Sequence, residues 1–288
     1  MKRYALFLVS LLIIAGVLLA ACSPAAETPA ATEPPAAETE GQGYPAAETQ
    51  PASGGESPYP APEGGVITVG TDATFPPFEI VDEETQELTG FDIELMRAIA
   101  EVNGWEIEFA NQPFDPMLAA LSLCQYDMAI AAITITPERE AEMLFSNPYI
   151  NAGQIVVVQQ SNEEIQGPDD LPDTTVGAQL GTTGAIEAQA IEGVTFRPYD
   201  TYDLAFLDLV NGQVDAVIAD YPLALDFVGQ FPDDLKVVGE PFTEENYGVA
   251  ICNDREDLVE PVNQALQTLR DNGTIEQLEQ EWLVRQGQ

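Results

Sequence analysis

Between Ser23 and Gly65 the chain has no valine, leucine, isoleucine, methionine or phenylalanine, whereas from Val66 onward such residues recur throughout. This boundary decides what can fold. A stretch without large aliphatic side chains cannot bury enough apolar surface to offset the entropy of ordering its backbone. Residues 22–65 hold nine prolines and seven glutamates, and PAAET recurs at 24–28, 35–39 and 45–49. Unequal spacing and the lack of an apolar face make this segment a disordered tether rather than a solenoid. A flexible chain of that length spans roughly 35 Å. About 223 residues, 66–288, are left for one large or two small domains.

Ahead of the tether, Lys2 and Arg3 precede a run from Ala5 to Ala21 that is apolar apart from Ser10. Leu19-Ala20-Ala21-Cys22 then places small residues before a cysteine. This resembles a bacterial lipoprotein signal over 1–21, cleaved so that Cys22 becomes a lipidated N-terminus. The competing reading is a retained transmembrane helix, for which the run is short. No later segment is long and apolar enough to span a bilayer. The expected location is extracytoplasmic, with the lipid anchoring the chain to the cell membrane.

The charge balance excludes whole classes of partner. Lys plus Arg number 9 against 49 Asp plus Glu, a formal net charge of −40. Nucleic acid is not expected to bind such a chain. The negative field attracts cations and repels acidic solutes, although adaptation to salt or low pH, or plain solubility, would leave the same signature. There is no histidine. Imidazole catalysis and histidine-ligated metal sites are therefore excluded, and no metal or cofactor is expected.

From residue 66 the hydrophobic pattern alternates strands and helices, as in open parallel sheets. Strands are expected at 66–71, 105–110 and 127–132, with helices at 91–103 and 116–123 between them. In the first helix Ile93, Leu95, Met96, Ile99 and Ala100 can face a core. Residues 153–159 are strongly apolar. A second set has strands at 175–178, 194–199, 214–219 and 235–238, separated by helices at 184–191, 202–211 and 222–228. One more strand, 247–251, precedes helices at 258–271 and 274–284. Two α/β units with a helical tail result, and ligands bind such units at the carboxyl ends of their strands.

Four strand ends carry suitable chemistry. GTDATFPPFE, 70–79, places Asp72, Phe75 and Phe78 around a turn stiffened by Pro76-Pro77, although a loop phenylalanine also serves as core. In AAITITPER, 131–139, Thr136 and Pro137 read as an N-cap and first helical residue, which puts Arg139 in a first helical turn. A cation is unfavourable at that helix end, so an anion should compensate it. That anion is either a bound carboxylate or one of the chain's own acids. QLGTTG, 179–184, turns into a helix, where free N–H groups can cradle an anion or merely make a tight connection. Asp220 ends a buried strand and is either a ligand group or an N-cap. Together these residues outline an α-amino acid. Arg139, Thr134 and the N–H groups near Thr182-Thr183 suit its carboxylate, and Asp220 suits its ammonium. Asp72, Phe75 and Phe114 would face its side chain.

The ordered segments GTDATFPPFE, GFDIELMRAIA (90–100), AAITITPER, FSNPY (145–149), QLGTTG, VDAVIADYPLA (214–224), NYGVAIC (246–252), DNGT (271–274) and EQEWL (279–283) carry a resemblance across essentially all of 66–288. The chain resembles the bacterial extracellular solute-binding proteins of the polar amino-acid uptake family, the receptors of ATP-driven importers. That resemblance implies a two-lobed clamp of the periplasmic-binding-protein type. Each lobe is an open, mostly parallel sheet flanked by helices, and two strands form the hinge. Lobe one would be 66–152 with 246–288, and lobe two 153–245. Carried over by position, Arg139, Thr134 and Thr183 bind the ligand's α-carboxylate. Asp220 binds the ammonium, assisted by a main-chain carbonyl near Ala132, where relatives often have Gly or Ser. Asp72, Phe75, Phe114 and Gln179 line the side-chain pocket. Relatives pair the strands that follow Cys124 and end at Cys252, so the resemblance also implies a Cys124–Cys252 disulfide; two separate buried thiols are the alternative.

The expected function is capture of a free polar amino acid, a basic one first and glutamine second, for delivery to an ABC permease by a monomeric, lipid-anchored receptor. Asp72 favours a cationic side chain, and Phe75 with Phe114 could sandwich a guanidinium. Two other classes stand beside this one. Some dehydratases acting on prephenate-like or arogenate-like substrates resemble the same fold, but they need a general acid over the leaving hydroxyl. A sensor domain reporting amino acids to a signalling partner is the other.

Overall fold

The computed structural model of the protein describes residues 65–284. The signal over 1–21, Cys22 and the tether through residue 64 lie outside the described residues.

Two five-stranded sheets repeat one plan. The first runs in the order Glu106–Asn111, Val66–Thr71, Met128–Ala129, Ala250–Ile251, Leu144–Phe145. The second runs Thr195–Tyr199, Thr175–Gln179, Ala216–Asp220, Gln154–Gln159, Leu235–Val238. The first three strands of each order are parallel. Helical crossovers join them, and a crossover returns the chain in its original direction. The fourth strand of each order is antiparallel to both neighbours. Each sheet is thus mixed, with one reversed strand among four that share a direction. The reversed strand is in each case the one delivered by a crossing segment. Ile150–Ala152 leads into Gln154–Gln159, and Glu245–Tyr247 leads into Ala250–Ile251. Both arrive from the cleft side, so they must run against the strands whose carboxyl ends point there.

The crossing segments pair antiparallel, with Tyr247 opposite Ile150 and Glu245 opposite Ala152. Gly153 adjoins this crossing, where a Cβ would stand 2.3 Å from the Thr243 carbonyl oxygen. No residue with a side chain fits there without moving the backbone.

Helix Phe91–Asn103 follows its apolar spacing. Ile93, Leu95, Met96, Ile99 and Ala100 are buried, and Gly104 ends the helix in a left-handed conformation at φ 66°. Each of the large side chains contributes about 1.5–3 kcal/mol on burial. The helix packs on Val259–Asp271 and Thr274–Trp282. Cys124 and Cys252 form a disulfide, with Cα atoms 5.2 Å apart. No helix among the described residues is long and apolar enough to cross a membrane.

Three local expectations are corrected. The strand expected over 127–132 is a strand only at Met128–Ala129. The Ala132 N–H bonds to Asp92 Oδ2 at 2.7 Å, and Ala132 turns to φ 47°. A side chain replaces the ladder, and the backbone bends away. The strand expected over 247–251 is split into Glu245–Tyr247 and Ala250–Ile251, because the chain passes there from the crossing pair to the first sheet. A small sheet of Thr74–Phe75, Glu79–Val81 and Leu88–Thr89, not expected from the sequence, forms around and after the FPPFE segment.

Candidate functional site

Strand ends from both lobes converge on one narrow cleft, partly open to solvent. Phe75, Phe114, Ala131, Ala132, Thr134 and Arg139 line it from one side, and Thr182, Thr183 and Asp220 from the other. Seven of the nine residues expected at the ligand are among them. The remaining two, Asp72 and Gln179, are bonded to each other across the cleft at 2.7 Å.

Arg139 is 9% exposed. Thr136 does cap its helix, accepting the Arg139 N–H at 3.2 Å, but Pro137–Glu140 is a single turn. The helix dipole is therefore a minor influence on the guanidinium, contrary to the expectation from sequence. What singles Arg139 out is its surroundings. Nη1 donates to the Thr134 carbonyl at 2.7 Å and Nη2 to the Gly181 carbonyl at 3.0 Å. The guanidinium carbon lies 5.3 Å from the Phe114 ring centre. No acid pairs with it; the ion pairs among the described residues belong to Arg97, Arg197 and Arg255. Burial pulls its pKa below the ordinary arginine value, opposed by the Asp220 and Glu245 charges.

Asp220 is the counterpart. It is buried at the N-cap position of helix Tyr221–Gln230, yet its side chain makes no capping bond. Its Oδ1 accepts the Tyr247 hydroxyl at 2.6 Å. No Lys or Arg among the described residues pairs with it. Burial pushes its carboxyl up to about 7, with the Glu245 charge adding to the rise and hydrogen bonds from Tyr247 and Gln154 opposing it.

Helix Thr183–Ala190 begins at the cleft, capped by Thr182, whose hydroxyl accepts the Ala185 N–H at 3.2 Å. The main-chain N–H groups of Thr183, Gly184 and Thr134 find no acceptor among the described residues. Such orphan donors suit an anion. A buried cation, orphan donors and a buried carboxylate in one cleft complement a zwitterion, since burying either charge without an opposite partner is costly.

Two aromatic placements differ from the expected sandwich. Phe114 already has Arg139 over its ring. Phe75 meets Tyr202 edge-on, with ring centres 5.6 Å apart.

The model of the bacterial extracellular solute-binding proteins, family 3, matches residues 67–285. The chain belongs to this family. The L-cystine-binding protein TcyJ of Escherichia coli (strain K12) is 36% identical over 222 residues, 76% of this chain and 83% of TcyJ. An ancestral arginine-binding protein solved bound to arginine has a TM-score of 0.73 and 40% identity, covering 76% of this chain and 98% of that one. An ancestral arginine-binding protein bound to glutamine has a TM-score of 0.70 and 39% identity, covering 76% and 97%. This family-3 member is a solute-binding protein, and these relatives are binding proteins rather than enzymes.

Sequence reasoning did not single out Ala131 in the lining, nor Glu245 just behind it. Glu245, buried on the crossing strand, accepts the hydroxyls of both Thr134 and Thr183. Its only mark in the sequence is an acid just before NYGVAIC, in a chain rich in acids.

Proposed function

We propose that this solute-binding protein captures a free polar L-amino acid between its lobes and delivers it to the membrane subunits of an ATP-driven importer, held near the membrane by a lipid on Cys22. The observation that carries the reading is the couple Arg139 and Asp220, each buried in the same cleft without an ion-pair partner among the described residues. An α-amino acid supplies both missing partners at once. Its carboxylate reaches Arg139 and the N–H groups of Thr134, Thr183 and Gly184. Its ammonium reaches Asp220 and the carbonyl side of Ala132.

A basic side chain is favoured first and glutamine second. Asp72, Asp220 and Glu245 outnumber Arg139 among the acids and bases gathered at the cleft. An acidic side chain would need a second cation that the cleft lacks, and the net field opposes its approach. Similar proteins have been solved with arginine and with glutamine bound, which supports both candidates. Thermal-shift screening of the twenty amino acids and cystine, followed by calorimetry, tests the reading. Arginine, lysine or glutamine should lead. Glutamate or an aliphatic amino acid binding more tightly than these would overturn the basic assignment, and no binding at all would overturn the amino-acid reading.

A further inference from the structure

Glu245 is 6% exposed on the crossing strand Glu245–Tyr247, outside the residues that line the cleft. Its Oε2 accepts the Thr134 hydroxyl at 2.6 Å and the Thr183 hydroxyl at 2.8 Å. Its Oε1 accepts the Thr243 hydroxyl at 2.9 Å. Thr134 comes from one side of the cleft and Thr183 from the other, and both line it. One oxygen atom therefore gathers a hydroxyl from each lobe.

The chemistry of these bonds has a direction. An ionised carboxylate only accepts, and a hydroxyl has one proton to donate. With those protons turned toward Glu245, both threonines offer only lone pairs elsewhere. On Thr183 one lone pair already takes the Gln154 amide at 3.0 Å, leaving the other. Neither hydroxyl can donate to a ligand carboxylate. Either can accept from a ligand ammonium. The carboxylate is left to Arg139 and to main-chain N–H groups.

We propose that Glu245 is a positioning residue of the ligand site: by holding the hydroxyl protons of Thr134 and Thr183 it makes both side chains hydrogen-bond acceptors toward the cleft, so that the closed site selects ligands carrying an ammonium. This rests on the amino-acid reading above and adds a selectivity to it. Asp220 supplies the charge that attracts the ammonium, and Glu245 sets the neutral acceptors around it.

The test uses calorimetry on the full chain with two ligand pairs, L-arginine with 5-guanidinopentanoate and L-glutamine with glutaramate. Each second member lacks only the α-ammonium. The affinity ratio within a pair is measured for wild type, Glu245→Ala and Glu245→Gln. Alanine frees both hydroxyls, whereas a glutamine amide oxygen can still accept them. The ratio should fall about tenfold or more in Glu245→Ala and return to within about threefold of wild type in Glu245→Gln, the scale of one hydrogen bond to a charged group. A merely structural role would weaken both members of a pair alike. Equal ratios in all three proteins, or a glutamine variant no better than alanine, overturn the proposal. If Glu245→Ala does not fold, Glu245→Asp, which withdraws the carboxylate by one methylene, takes its place with the same expected fall. A wild type that binds none of the twenty amino acids or cystine overturns the amino-acid reading itself, and this proposal with it.

Discussion

The two ends of the cleft hold aspartates in matching places, and the chain uses them in opposite ways. Asp72 directly follows the strand Val66–Thr71 of the first sheet, and Asp220 ends the strand Ala216–Asp220 of the second. Both are nearly fully buried, and burial raises the pKa of each. Asp72 is well supplied with donors. It accepts the Thr74 hydroxyl at 2.8 Å, the Phe114 N–H at 3.0 Å and the Gln179 amide at 2.7 Å. It thereby holds the start of helix Phe114–Ser122 and ties one lobe to the other. Asp220 has the Tyr247 hydroxyl and a contribution from Gln154, a nearby Glu245 charge that raises it further, and no cap to make. A satisfied carboxylate stabilises the fold. One left short of donors and cations is stabilised by what arrives.

That contrast can be broken at either end. The largest effect should come from Arg139→Ala, which removes the ligand's anion partner. Affinity should drop by roughly 30-fold to several thousand-fold, the cost of truncating one member of a buried charge pair. Circular dichroism should show the fold intact. Asp220→Asn should weaken binding by about 10- to 1,000-fold through the ammonium. The same change should raise the melting temperature of the empty protein, because a buried carboxylate short of partners becomes a neutral amide.

The pH dependence should show two opposite slopes. With Asp220 near 7 in the empty site, a proton must leave before an ammonium is held as an ion pair. Affinity should therefore fall by up to about tenfold per pH unit below 7. Stability should move the other way. Asp220 and Asp92 both stand near 7 when folded, against an ordinary value of 3.8. Between those values the folded chain holds more protons than the unfolded one, so stability is gained as pH falls and lost as it rises toward 7. Melting the empty protein at pH 5 and pH 8 checks this, with the higher temperature expected at pH 5.

Asp72→Asn should do less to binding and more to the fold. Affinity should change by less than about tenfold, while the melting temperature falls by a few degrees, the scale of a buried hydrogen bond lost. The smallest effect should come from Ala132→Gly. Ala132 sits at φ 47°, which costs a residue with a Cβ about 1–2 kcal/mol. Glycine should stabilise the fold by up to about 1 kcal/mol in urea titrations.

Much of this was legible in the residues because it is local. The apolar spacing of 91–103 gives its helix and core face, since a helix must bury one stripe. Asp220 stands out as a charge at the end of an apolar run, and Arg139 as a cation in a first helical turn. Other features depend on residues far apart in the chain. Glu245 meets Thr134 across 111 residues and Thr183 across 62, and no periodicity records such a meeting. The strand expected over 127–132 stops early because Asp92, 40 residues upstream, takes the Ala132 N–H. The pairing of Asp72 with Gln179 needs both lobes in place, 107 residues apart in sequence. The reversed strand in each sheet follows from how the chain crosses between lobes, which strand composition does not encode.

The central claim is that Arg139 is left without an ion-pair partner among the described residues so that a ligand carboxylate can complete it. A thermodynamic cycle tests it most directly. L-arginine and L-argininamide, which differ in the α-carboxylate, are titrated by calorimetry into wild type and Arg139→Ala. Amidation and the substitution should each cost roughly 30-fold or more alone, and the two together should cost little more than either one, because they remove the same interaction. Losses that multiply would show that Arg139 and the ligand carboxylate act separately, and would contradict the account.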